Sequence, residues 1–90
     1  MDSVNPLLGK TLDTKTIKKI YEICKNEADF YMEPHHFHIH EYGEHKELTF
    51  HIRVSNSEKI ETVNNFRLRV KKEILQQLGL ESTIQIESTG

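Results

Sequence analysis

The chain has 90 residues, of which 36 % are hydrophobic and 29 % are charged, and its formal net charge at pH 7 is −2. This length suffices for one small domain with a single hydrophobic core, and the composition is that of a folded globular protein rather than of a disordered segment. The slightly acidic balance argues against a general nucleic-acid binder, which needs a basic face. The presence of one cysteine excludes an internal disulfide and any zinc motif built from several cysteines.

The first part of the chain predicts a lead-in segment followed by a helix. Residues 1–12 contain an Asn-Pro pair and a glycine, which favour turns. Asp13 is a suitable N-cap, because its carboxylate can accept hydrogen bonds from the free amides of a first helical turn. Apolar residues then recur at steps of three and four, which predicts an amphipathic helix over about residues 14–28. Cys24 lies on this apolar stripe and is expected to be a buried, inert thiol.

Two strand-like runs follow, and together they predict a β-hairpin. In the first run three histidines alternate with two apolar residues, so that the imidazoles share one face and the apolar side chains share the other. The alternating residues are His36, Phe37, His38, Ile39 and His40. In the second run, residues 47–54, apolar residues alternate with polar ones that include His51. Residues 42–46 provide the turn, in which Gly43 can adopt a positive φ.

The alternation in the two runs predicts how the hairpin pairs. The expected neighbours on the core face are Phe37 and Ile39 in the first strand, and Ile52 and Phe50 in the second. His38 then lies opposite or diagonal to His51 on the outer face, and these two are predicted to be the closer imidazole pair across the hairpin. His35 follows Pro34 and is placed at the entrance of the first strand.

The last third of the chain predicts a second helix and a third strand. Ser57 is the favoured N-cap of the helix, and Gly79 fits a left-handed stop at its C-terminus. Alternation over residues 83–87 predicts the strand. The predicted core includes Phe50, Ile52, Phe66, Ile84 and Ile86. The order helix, strand, strand, helix, strand predicts an α+β two-layer sandwich, in which two helices cover one face of a three-stranded sheet and leave the imidazole face uncovered.

These segments together resemble the C-terminal cytoplasmic domain of cation diffusion facilitator (CDF) transporters, over roughly residues 7–88. The segments that carry the resemblance are LLGKTLD before the first helix, HHFHIHEYG and FHIRV in the hairpin, the long second helix, and STIQIES at the end. Their order and spacing together make the match. The resemblance implies a ferredoxin-like, metallochaperone-like fold of order α-β-β-α-β, which forms a homodimer and binds divalent cations near the dimer contact.

The resemblance also implies a function and a location. In this family the domain lies below a six-helix membrane part that exchanges zinc or a related ion for protons. The chain is therefore expected to be the regulatory module of a metal efflux transporter, on the cytoplasmic side of the membrane, in which ion binding favours a closed dimer. Residues 13–88 would form this domain, and residues 1–12 would join it to the membrane part. The segment itself has no apolar run approaching the ~20 residues that a bilayer requires, and it is expected to be soluble.

The resemblance carries three metal ligands over to this chain by position. His35 matches the histidine that opens the first strand, His51 matches the histidine of the second strand, and Glu87 matches the acid of the last strand. Gln85 and Asn64 stand at two further positions where the family has histidine. A neutral amide oxygen is a poor zinc ligand compared with imidazole, so the family's usual two-metal site is not expected in full.

Additional histidines offer substitutes for the missing ligands. His38 and His36 are the expected replacements, whereas His45 is predicted to be an exposed turn residue without a role in binding. Because the donors are imidazole and carboxylate with no thiolate, zinc is the first expectation, and cobalt, nickel, manganese and iron are the alternatives.

Two other functions stay open. One is a free-standing metal carrier or sensor of the same fold without a membrane part. The other is a structural dimerisation module whose metal site has decayed, as Gln85 and Asn64 would permit. Catalysis is not expected, since the sequence has no nucleophile motif, no phosphate-binding glycine loop and no carboxylate pair at a useful spacing.

Overall fold

The structure is a computed structural model that describes residues 13–89. The predicted lead-in segment, residues 1–12, lies outside the described residues. The elements are α1 (Thr14–Glu27), β1 (Met32–Tyr42), β2 (His45–Val54), α2 (Ile60–Leu78) and β3 (Glu81–Ser88). This order confirms the predicted α+β sandwich. Within the described part of the chain, neither helix is long and apolar enough to span a membrane.

Two helix ends are formed by the residues that the sequence predicts. The backbone N–H of Thr16 donates to Oδ1 of Asp13 at 2.7 Å, which satisfies one of the free amides at the start of α1. Gly79 ends α2 in the left-handed conformation, with φ 67° and ψ 25°. Its N–H donates to the carbonyl oxygen of Leu75 at 2.9 Å, as a C-terminal cap requires.

The prediction for the start of α2 was wrong. The N-cap position is occupied by Lys59, which makes no capping hydrogen bond with its side chain, rather than by Ser57. Ser57 lies in the preceding turn, where its N–H donates to Oγ of Ser55 at 3.2 Å and the two hydroxyls are 2.8 Å apart. Since the hydroxyl of Ser57 has this local partner, the helix begins two residues later than such a cap would allow.

The sheet has β2 at its centre, antiparallel to β1 and parallel to β3. β1 begins earlier than predicted, at Met32, so that Pro34 and His35 both lie inside the strand. A proline is tolerated there because β1 is an edge strand and needs no hydrogen bond on its outer side. The predicted placement of His35 at the strand entrance is therefore corrected. The turn of the hairpin is short, and Gly43 adopts the expected positive φ of 62°.

A β-bulge interrupts β1. His35 pairs with His51 and His38 pairs with Thr49, so two residues of β1 lie opposite a single residue of β2. The first of these two residues is His36, whose φ of 59° is in the left-handed region. A bulge of this kind adds one residue to the strand and breaks the strict alternation of faces.

The pairing on the core face also differs from the prediction, because the register is set by the short turn. Ile39 lies opposite Leu48 rather than beside Phe50. Phe37 packs against Phe50, with ring centroids 5.2 Å apart and ring planes 19° apart. The apolar side chains therefore reach the core as expected, although the register of the hairpin differs from the one that strict alternation predicts.

One hydrophobic core lies between the sheet and the two helices. Its buried members are Ile20, Ile23, Cys24, Ile39, Leu48, Phe50, Ile52, Val54, Val63, Phe66, Val70, Ile74 and Ile84. The predicted core is confirmed, except that Ile86 lies at its margin and is only partly buried. Burial raises the pKa of the Cys24 thiol to about 12, so this cysteine is protonated and unreactive, as expected for a small core residue.

Candidate metal centre

The sheet face that points away from the helices, called the outer face below, brings together two adjacent histidines. In a regular strand His35 and His36 would point to opposite faces. The bulge instead turns His36 outward, so that its ring centroid lies 4.8 Å from that of His35 and 5.2 Å from that of His51. The alternation predicted His36 on this face but separated it from His35. Nothing in a single sequence indicates a bulge at this position.

These three histidines form a compact group, called the three-imidazole cluster below. The rings of His35 and His51 are 5.5 Å apart, because the two residues are direct partners in the hairpin. One ring nitrogen from each of His35, His36 and His51 lies within 4.8 Å of the other two. This spacing is short enough for the three nitrogens to converge on one metal ion after small side-chain movements.

Glu87 holds two members of the cluster from β3. Its Oε1 lies 2.8 Å from Nε2 of His35, and its Oε2 lies 2.6 Å from Nδ1 of His51. The hydrogen bond from His51 lowers the pKa of Glu87 most. Partial burial opposes this effect, and the hydrogen bond from His35 lowers the pKa further. About a third or less of the His35, His51 and Glu87 side chains is exposed, and His36 is exposed, so the group is partly sheltered but open to an ion from solvent.

The contacts of Glu87 determine the tautomers of the two histidines in their neutral form. A carboxylate can only accept, so Nε2 of His35 and Nδ1 of His51 are the donors in this network. Nδ1 of His35 and Nε2 of His51 therefore carry no proton and can accept a hydrogen bond or bind a metal ion. His36 approaches the first of these, since its Nδ1 lies 2.8 Å from Nδ1 of His35. In the neutral network His36 is the donor in this contact.

One guanidinium lies at the edge of the cluster. Nη2 of Arg53 is 3.9 Å from Oε1 of Glu87, and Nη1 is 3.6 Å from Oε1 of Glu33. Nearly half of the Arg53 side chain is exposed. Exposed ion pairs at these distances contribute little to stability, so Arg53 chiefly adds positive potential beside the carboxylate.

His38 lies apart from the three-imidazole cluster. It is exposed and pairs with Thr49, which places it diagonal to His51, whereas His35 is directly opposite His51. The prediction that His38 and His51 form the closer pair across the hairpin was therefore wrong, because the register set from the turn places His38 opposite Thr49, and His35 is the residue opposite His51. The ring of His38 is 6.4 Å from that of His40, further along the strand.

The two amide residues that depart from the family pattern do not join the cluster in the described structure. Gln85 pairs with His51 in the parallel register of β3, but its side chain is exposed. Oδ1 of Asn64, on α2, accepts a hydrogen bond from Nη2 of Arg67 at 2.7 Å. His45 is exposed as predicted, although it begins β2 rather than lying in the turn.

The fold and the site together define a metallochaperone-like α+β domain with imidazoles on the open face of its sheet. A family model described as the cytoplasmic domain of cation efflux proteins matches residues 12–89. The chain belongs to this family, which is that of the C-terminal cytoplasmic domains of CDF transporters. A search of curated proteins found no match to the chain.

Several solved structures share this fold. The domain of CzrB, a protein assigned as a zinc transporter, superposes with a TM-score of 0.71 and 21 % identity, over 89 % of this chain and 100 % of that one. Its zinc form gives a TM-score of 0.68 and 21 % identity, over 88 % and 91 % of the two chains. The metal-bound C-terminal domain of the CzcD transporter from Thermotoga maritima gives 0.68 and 17 % identity, over 88 % and 96 %. At these identities the likeness shows the fold alone.

Proposed function

We propose that this chain is the cytoplasmic regulatory domain of a proton-coupled efflux transporter for divalent metal cations, and that it binds zinc or a related ion. The site is the group formed by His35, His36, His51 and Glu87. The observation that carries the proposal is the convergence of three imidazoles and one carboxylate from three strands on one partly exposed spot. The family description and the names of the zinc-bound and metal-bound similar domains support the same function.

The chemistry of the donors fits a borderline metal ion better than a hard one. Imidazole nitrogen suits zinc, cobalt and nickel, whereas manganese and magnesium prefer sets made mainly of oxygen. No thiolate can contribute, because Cys24 is the one cysteine of the chain and lies protonated in the core. Zinc is therefore the proposed ion, with cobalt and nickel next and with manganese and iron as weaker alternatives.

The proposed regulation is a shift between two arrangements of a homodimer. Three imidazoles leave one position of a tetrahedral ion open, and a water molecule or a group of the second copy would complete it. An ion favours the arrangement that it binds more tightly, in proportion to the difference in affinity between the two arrangements. Binding of an ion near the contact between the two copies would thus favour the closed dimer. In the full-length transporter, the closed dimer would favour transport.

Calorimetric titration of zinc into chelator-treated protein tests the binding. We expect a saturable heat signal at neutral pH that the double substitution His35→Ala/His51→Ala abolishes. His38→Ala is the matched control, since it removes an exposed imidazole of the same strand that lies outside the cluster. Undetectable binding at millimolar zinc would contradict the proposal.

Small-angle scattering with and without zinc tests the regulation separately. We expect the zinc-bound dimer to be narrower than the metal-free dimer, and we expect the double-histidine variant to show no change. An unchanged shape in the presence of bound zinc would leave binding intact but would contradict the closure.

A structural dimerisation module without a metal function is the second candidate. The observation in its favour is that Gln85 and Asn64 replace expected histidines, and that the amide oxygen of Asn64 already accepts from Arg67. Dimerisation without detectable zinc binding would support this candidate. A free-standing carrier would share the metal site, and hydrophobic spans encoded directly upstream of this segment would argue against it.

A further inference from the structure

We infer that His35, His36 and His51 are the direct ligands of the ion, and that Glu87 is a positioning residue that holds two of them in place. This inference rests on the proposed function and assigns roles within that site. It differs from the ligand set expected from the sequence, in which Glu87 binds the ion and His36 is only a substitute.

The first argument comes from the two hydrogen bonds of Glu87. Both of its oxygens already accept from ring nitrogens, at 2.8 Å from His35 and 2.6 Å from His51. A histidine that binds a metal through one nitrogen usually donates its other N–H to a carboxylate, which orients the ring and raises its basicity. Glu87 makes this arrangement with two histidines at once. The unprotonated nitrogens are Nδ1 of His35 and Nε2 of His51, and the first becomes available to an ion once His36 no longer donates to it.

The second argument comes from the position of His36. Its Nδ1 lies 2.8 Å from Nδ1 of His35, a distance that a shared proton explains. Two nitrogens bound to one tetrahedral zinc lie ~3.3 Å apart, since each Zn–N bond is ~2.0 Å long. The two Nδ1 atoms would therefore have to move apart by only about half an ångström for both to bind the ion. The neutral His36 ring would carry its proton on Nε2 when Nδ1 binds the metal.

The third argument comes from the group of nitrogens itself. Among the described residues, one group of three potential ligands has donor atoms that all lie within 4.8 Å of one another, and it consists of His35, His36 and His51. The bulge creates this group, because it places His36 on the outer face while Phe37 still packs on Phe50 in the core. The ligand set is thus supplied by β1 and β2, and β3 contributes the carboxylate that orients it.

Three single variants of the full 90-residue chain test the assignment. His36→Asn removes the imidazole and keeps a residue that tolerates positive φ. His38→Asn is the matched control on the same strand, and Glu87→Gln keeps the size of the side chain while removing its charge. The far-UV circular dichroism of each variant is compared with that of the parent chain to establish that it folds. Zinc affinity is measured by competition with a chelating dye, and the nitrogen ligands of bound zinc are counted by X-ray absorption.

The expected results differ for the three variants. Glu87→Gln should weaken zinc binding by about 10- to 100-fold, as outer-shell substitutions do, and should still show three imidazoles on the ion. His36→Asn should weaken binding by more than Glu87→Gln does and should show two imidazoles. His38→Asn should match the parent chain in both measurements. The visible spectrum of the cobalt-loaded protein should change shape with His36→Asn and keep its shape with Glu87→Gln.

Other results would overturn the inference. If His36→Asn binds zinc as the parent chain does, His36 is not a ligand. If Glu87→Gln loses an oxygen ligand from the ion or changes the cobalt spectrum, Glu87 binds the ion directly. In either case binding by the parent chain would leave the proposed function standing. Failure of the parent chain to bind zinc or cobalt would instead reject both the inference and the proposed function.

Discussion

Residues on the two faces of the sheet differ in whether their polar side-chain atoms have hydrogen-bond partners. On the outer face, the two carboxylate oxygens of Glu87 accept hydrogen bonds from the rings of His35 and His51. On the core face, Ser82 is an exception. Its side chain is 1 % exposed, and its Oγ has no hydrogen-bond partner within the described structure. A buried hydroxyl without a partner costs free energy of folding, so this residue is a weak point of the core.

Replacement of this hydroxyl should therefore stabilise the domain. We expect Ser82→Ala to raise the free energy of unfolding by about 1 kcal/mol, because it removes an unsatisfied polar atom and leaves almost no cavity. The hydrogen bond from Lys71 to the carbonyl oxygen of Ser82 involves the backbone and should persist. Urea denaturation followed by circular dichroism measures the change.

A neighbouring residue of β3 provides the control for this experiment. The hydroxyl of Thr83 is exposed on the outer face and donates to Oε2 of Glu47 at 2.6 Å. Thr83→Ala should therefore lower stability slightly, by ~0.5 kcal/mol or less. A loss of stability with Ser82→Ala that equals or exceeds the loss with Thr83→Ala would show that the serine hydroxyl is satisfied.

The start of α1 is defined by a local capping interaction. The N–H of Thr16 donates to Asp13, and this hydrogen bond lowers the pKa of the Asp13 carboxyl below its usual 3.8. A carboxyl whose pKa is lower in the folded than in the unfolded chain stabilises the fold above its usual pKa. That contribution is lost as the pH falls through the lower, folded value.

The cap of α1 should accordingly be pH-dependent. At neutral pH we expect Asp13→Ala to lower the melting temperature by a few degrees, because the first turn loses its acceptor. Below about pH 3.8 the difference between the parent chain and this variant should shrink, since the parent carboxyl becomes protonated. Thermal unfolding across this pH range measures it.

Asparagine at the same position separates the cap from the charge. Asp13→Asn keeps an acceptor for the N–H of Thr16, so it should retain most of the stability at neutral pH. It should also remove the pH dependence of the difference from Asp13→Ala. A difference between the parent chain and Asp13→Ala that stays constant below pH 3.8 would contradict the assigned role of the carboxylate.

At the scale of the whole molecule, stability is concentrated in the central strand. β2 is paired on both sides, and its inward side chains Leu48, Phe50 and Ile52 are completely buried. β1 and β3 are edge strands, so part of their backbone groups face away from the sheet. Both helices cover one face, and this one-sided arrangement leaves the proposed metal centre on the open face.

Hydrogen exchange should report this distribution. We expect the amides of Leu48–Ile52 to exchange most slowly, at rates set by global unfolding, because all of these residues pair with β3 and all except Phe50, opposite the bulge, also pair with β1. Amides on the outer side of β1 should exchange faster through local opening. Two-dimensional NMR after transfer into deuterated buffer measures the rates. Slower exchange in β3 than in β2 would show that the sheet is not organised around β2.

Features that depend on interactions between residues close in the sequence were predicted better than features that depend on distant residues. Asp13 and Gly79 act within one helical turn, and both were predicted correctly. Ser57 was mispredicted as a cap because its local hydrogen bond with Ser55 competes with the helix. The strands were found from their alternation, but most of their ends were not, since pairing with a neighbour extends a strand beyond its alternating residues; the end of β2 at Val54 was predicted correctly.

The proposed metal centre was likewise predictable in part. The sequence alone determined which residue types are available, the order of the elements and the strands that carry His35, His51 and Glu87, because periodicity and position along the chain contain that information. Only the tertiary structure decided that His36 lies beside His35 and that His38 lies outside the cluster. The bulge in β1 places His35 and His36 side by side, and the register between the turn and the bulge places His38 opposite Thr49, away from His51. The extra residue of a bulge cannot be recognised from the alternation of apolar and polar residues. Relative to strict alternation, it nevertheless reverses the facing of the β1 side chains that precede it.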